Sequence, residues 1–150
     1  MNGWTWAAAV VLGGGLAGAL WGVTTGPLPR RVVAQNLATA ALCPGLLLLA
    51  QGYDRPSYVD VALVLAVLGP VGTLVFARLL ADDLAAAPPR AWRATWALAA
   101  LGAGVVLALC LARSPGRQTV KLLVTGALLI GGNLIASRAL AGGFRGVRRG

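Results

Sequence analysis

The chain contains no histidine, two cysteines and only four acidic residues among its 150. Without histidine there is no Ser-His-Asp triad, no HExxH motif and no ordinary zinc site. Cys43 and Cys110 each fall inside an apolar run and form no CxxC, so they read as small hydrophobes and say little about redox compartment. Charged residues make up 11% of the chain, roughly half the share in an ordinary soluble domain. No acid and no lysine stands at the centre of an apolar run. A stand-alone proton-coupled transporter is expected to carry such a group, or a pair of broken helices in inverted repeats. No enzyme, cofactor or metal motif is present.

What fills the chain instead is apolar sequence, with 58% hydrophobic residues and a mean hydropathy of +0.79. Five continuous runs stand out: Trp4–Val23, Val32–Ala50, Tyr58–Leu80, Ala94–Ala112 and Val120–Leu140. About 20 helical residues cross a hydrocarbon core of about 30 Å. Lipid leaves backbone hydrogen bonds satisfied only in helices or closed barrels, and these runs do not alternate as barrel strands do. The expected fold class is therefore an all-α integral membrane protein, a bundle of about five transmembrane helices. The first run lacks a basic segment before it and carries Trp4, Trp6 and Trp21 at its two ends, so it reads as a retained span rather than a signal peptide.

The net charge of +9 suggests nucleic acid at first sight, but Lys and Arg cluster at run ends, where they meet headgroups. With the N-terminus outside, nine of the 13 cations lie on the inner side: Arg30, Arg31, Arg78, Arg90, Arg93, Arg138, Arg145, Arg148 and Arg149. Arg55, Arg113, Arg117 and Lys121 lie outside. The positive-inside rule thus predicts N-out and C-in, in a multi-pass cell-membrane protein without a nucleic-acid partner. Four parts are expected: a three-helix part over 1–80, a cytoplasmic linker over 81–92, two further helices over 93–141 and a basic tail over 142–150. The linker holds Asp82, Asp83, Pro88 and Pro89, and the Gly/Arg-rich tail suits anionic lipid.

Gly14, Gly18 and Gly22 recur every four residues and predict a close-packing stripe on the first helix. Pro44 with Gly45, and Gly69 with Pro70 and Gly72, fall inside the second and third runs and predict weakened or kinked helices. The polar groups at depth are Asn36, Thr39, Thr73 and Asn133, suited to interhelical hydrogen bonding. Asp60 lies near the outer end of the third run, where it can reach water or Arg55.

The segment from Gly26 to Leu80 resembles the F subunit of Mrp-type multisubunit Na+(K+)/H+ antiporters. The Gly26-Pro27 loop leads into Arg31-Val32-Val33-Ala34-Gln35-Asn36, where the family reads Arg-Val-x-Ala-x-Asp. Tyr58-Val59-Asp60-Val61-Ala62-Leu63-Val64 is followed by Gly72-Thr73 and Ala77-Arg78 in the family's order. The resemblance implies an N-out, C-in subunit of an antiporter complex, with other membrane subunits as partners. Asn36 departs from the family by replacing an acid that Arg31 could help to ionise, which leaves the second helix without a proton-carrying carboxylate at that position; Asp60 is retained. The last two helices are extra for an F subunit. Val120–Val124 and Ala136–Leu140 resemble the closing helix of the G subunit faintly, although the Arg-x-His-Ala signature is absent and Arg90–Ala94 is the nearest text. Two alternatives stay open: the equivalent subunit of a hydrogenase or complex I relative, and a small self-assembling transporter or channel.

Overall fold

The computed structural model describes residues 2–25, 27–80, 92–112 and 116–142. These form five helices: α1 (Gly3–Thr24), α2 (Leu28–Gly52), α3 (Ser57–Leu79), α4 (Trp92–Ala112) and α5 (Arg117–Gly142), with no strand among the described residues. Four of them are long and apolar enough to cross a membrane, and α4 contributes the shorter apolar stretch Trp96–Ala112. The expected all-helical bundle is thus observed. Most of the linker expected over 81–92 and of the tail over 142–150 lies outside the described residues.

Local sequence explains the helix ends. Pro29 lies in the first turn of α2, where a missing N–H costs nothing, so the helix begins before Arg30 and Arg31 rather than at Val32. Asp54 takes a left-handed conformation (φ 51) in the tight link between α2 and α3, a region that aspartate tolerates better than most residues. Asp60 in the first turn of α3 and Arg78 in its last complement the helix dipole. Pro44 and Pro70 lie within helices assigned as continuous from Leu28 to Gly52 and from Ser57 to Leu79.

The most buried span is that of α2, which touches the other four helices. Successive helices run in opposite directions. Leu47 and Ala50, late in α2, join Val59 and Ala62 early in α3, Val106 and Leu109 late in α4, and Leu122 early in α5. A middle layer holds Ala40, Cys43, Ala66 and Leu129, and Val32, Val33 and Ala77 close the opposite end. The thiol of Cys43 is buried and points at the Ala62 carbonyl (3.6 Å), in keeping with its reading as a small core residue.

The glycine stripe differs from the expectation. Gly14 and Gly18 face open space, whereas Gly15 lies against Ala41 and Gly22 against Ala34. From the other side, Gly45 of α2 receives Leu12 and Gly52 receives Thr5. Thr5, Ala8, Leu12, Gly15, Ala19 and Gly22 therefore form the α1 face, with steps alternating between three and four residues. Such a 3.5-residue period keeps a seam on its partner, whereas a strict four-residue stripe turns by about 40° at each step.

Candidate functional site

Three neutral polar side chains from three helices meet in the bundle. Asn36 of α2, Thr73 of α3 and Asn133 of α5 are 6%, 5% and 3% exposed. The Asn36 amide donates from Nδ2 to Oδ1 of Asn133 (2.9 Å). The Thr73 hydroxyl has two acceptors at 3.0 Å, Oδ1 of Asn36 and the Gly69 carbonyl. Ser137 donates to the Asn133 carbonyl (2.6 Å), one turn further along α5.

Each of the three lies six residues inside the end of its candidate span, which places them roughly 9 Å below that end. At that depth a polar group without a partner costs several kcal/mol, so the hydrogen bonds decide which faces of α2, α3 and α5 turn together. Neighbouring packing reinforces this choice. Gly132 of α5 lies under the ring of Pro70, and any Cβ there would strike that ring. Gly69 of α3 likewise makes room for the methyl group of Thr39. The Thr39 hydroxyl donates to the Gln35 carbonyl in its own helix (3.3 Å), so it is not part of the three-helix cluster.

A cavity of about 160 Å³ adjoins the cluster in the groove between α2 and α3. Gln35, Asn36, Thr39, Gly69, Gly72 and Thr73 supply its polar and small lining, and Leu68 and Phe76 stand among its apolar walls.

The second cross-link lies at the opposite end. Asp60 Oδ1 accepts from Nζ of Lys121 at 2.9 Å, joining the first turn of α3 to the fifth residue of α5. The expected neighbour Arg55 is thus not the partner that forms this ion pair. The side chains of Lys121 and Asp60 are 49% and 58% exposed, so the pair is worth only about 0–1 kcal/mol. Arg31 is exposed near the start of α2.

Of the expected site residues, the structure brings Asn36, Thr73 and Asn133 together, sets Thr39 beside them at the cavity and leaves Asp60 and Arg31 elsewhere. Lys121, Gln35 and Gly132 are the residues that the sequence reading passed over. Lys121 had a usable signal, because it is the only lysine in the chain and opens an apolar run. Among the described residues no group of three or more His, Cys, Asp or Glu could hold a metal ion.

Long apolar helices, parallel or antiparallel in one bundle, define a multi-pass membrane protein. The particular relationship comes from α2 and α3: residues 29–81 match the family model of Multiple resistance and pH regulation protein F (MrpF / PhaF). That family comprises small subunits of multisubunit Mrp cation/proton antiporters, so the F-subunit resemblance of the sequence is upheld over this segment. The match stops before α4, and α4 and α5 lie outside it. No curated protein and no solved structure matches the chain.

Proposed function

We propose that the chain is a small assembly subunit of an Mrp-type cation/proton antiporter, in which α2 and α3 form the F-like unit and α4 and α5 brace it. The observation that carries this reading is the coincidence of the family match with α2 and α3, the pair whose polar groups meet α5. Bracing is what the side chains suit. The cluster is neutral, and the only acids among the described residues, Asp54 and Asp60, lie at one end of the bundle. In this reading α4 and α5 take the place of the last two helices of a G-like subunit.

The charge distribution supports an N-out, C-in orientation. Arg30, Arg31, Arg78 and Arg138 share one end of the bundle, which carries no acid among the described residues. The other end holds Arg55, Arg117 and Lys121 together with Asp54 and Asp60. The positive-inside rule assigns the first end to the cytoplasm.

Native-gel purification of the tagged chain tests the assembly role. Co-migration with large multi-helix antiporter subunits is the expected result, and migration alone or only with copies of itself would reject it. In a variant lacking Cys43 and Cys110, Asp54→Cys should label from outside the cell and Thr25→Cys from inside; the reverse pattern would overturn the orientation.

A further inference from the structure

The groove between α2 and α3 has a feature that bundle packing leaves unused. Its cavity of about 160 Å³ is several times the ~30 Å³ share of one water and is of side-chain size. Thr39 lies nine residues inside its span, roughly 13 Å from the end, so the groove reaches well into the hydrocarbon. The hydroxyl protons of its lining are already committed. Thr39 donates to the Gln35 carbonyl, and Thr73 donates to Asn36 Oδ1 or the Gly69 carbonyl. What these hydroxyls offer to an occupant is therefore oxygen lone pairs, beside the amide of exposed Gln35. Among the described residues no carboxylate lines the cavity, so this described lining would not neutralise a full positive charge. Gly72 leaves open space where a side chain would stand, which lets a neighbouring backbone come close.

We infer that this groove receives a transmembrane helix of another subunit, which inserts a neutral hydrogen-bond donor between Thr39 and Thr73. A lipid chain can neither donate to these hydroxyl oxygens nor pair the amide of Gln35, which is exposed within the span and costly to leave facing hydrocarbon. The inference rests on the assembly role proposed above and goes further by naming the face and the chemistry of contact.

Gly72→Leu fills the groove. Gly104→Leu on α4 is its control, because a Cβ meets nothing within 4 Å at either position. Thr39→Val is a second, near-isosteric variant that removes one set of lone pairs without adding bulk. Each full-length variant is compared with the unaltered chain for thermal midpoint in detergent and for recovery of antiporter subunits from native membranes. A photoreactive benzophenone side chain at Phe76, exposed among the groove's walls, reports the occupant directly. Expected are loss of most subunit recovery for Gly72→Leu, partial loss for Thr39→Val, full recovery for Gly104→Leu, and a Phe76 adduct with a different polypeptide. Unchanged recovery in both groove variants, or an adduct only with lipid or a second copy, overturns the groove while leaving the assembly role standing. Failure of the unaltered chain to recover any antiporter subunit overturns both.

Discussion

The hydrogen bond between Asn36 and Asn133 is expected to act as an energetic unit across 97 positions of sequence. Replacing Asn36 with leucine, which has a similar shape, leaves Oδ1 of Asn133 without its donor. Thr73 loses less, because its proton can pass to the Gly69 carbonyl at the same 3.0 Å. The cost of Asn36→Leu therefore falls mainly on Asn133, and that of Asn133→Leu falls on the amide of Asn36. Each single change should destabilise by about 1–3 kcal/mol, the penalty for a buried polar group left unpaired. The double variant orphans neither partner, so it should be less destabilised than the two singles added together. The coupling should be about 0.6 kcal/mol and at most ~1.7, the range of interhelical hydrogen bonds in membranes. Equilibrium unfolding in mixed micelles, run as a double-mutant cycle, measures this. Additivity within about 0.3 kcal/mol would show that the two side chains are merely adjacent, and would refute the idea that the cluster fixes α5 against α2.

Gly132→Val should destabilise the bundle by about 1–3 kcal/mol through overpacking against Pro70, whereas Gly131→Val, with open space at its Cβ, should be near neutral in the same unfolding assay. Gly15→Leu should displace Ala41 and loosen α1, raising protease cleavage of the link before α2, while Gly14→Leu should leave cleavage unchanged. Asp60→Asn should cost no more than about 1 kcal/mol, less at high salt, and leave the ion selectivity of the assembled complex unaltered. A changed selectivity at normal subunit stoichiometry would place Asp60 in an ion path.

Lipid makes parts of this molecule easy to read from sequence. A backbone in hydrocarbon must be helical, so the apolar runs translate almost directly into α1 to α5, with ends shifted by a few residues where Pro29 or Asp54 sets the chain direction. Depth and polarity also single out Asn36, Thr73 and Asn133, since an amide or hydroxyl within a span needs a partner. Which partner it finds is a property of three-dimensional packing. Lys121 lies 61 residues from Asp60 and meets it because α3 and α5 run parallel, whereas sequence proximity favoured Arg55. The glycine stripe failed for a geometric reason, because Gly14, Gly18 and Gly22 follow a four-residue step while the α1 seam follows 3.5. The cavity beside Gly72 could not be read at all, being defined by the groove between two helices rather than by either.

The central claim is that the chain acts by assembly and moves no ion on its own. Reconstitution into liposomes with a sodium gradient and a pH-sensitive dye tests it most directly, comparing the purified chain, the antiporter complex lacking it, and that complex with the chain restored. The account predicts no sodium-driven proton movement from the chain alone, a defective complex without it, and recovered exchange when it is added back. Exchange by the chain alone would contradict the account.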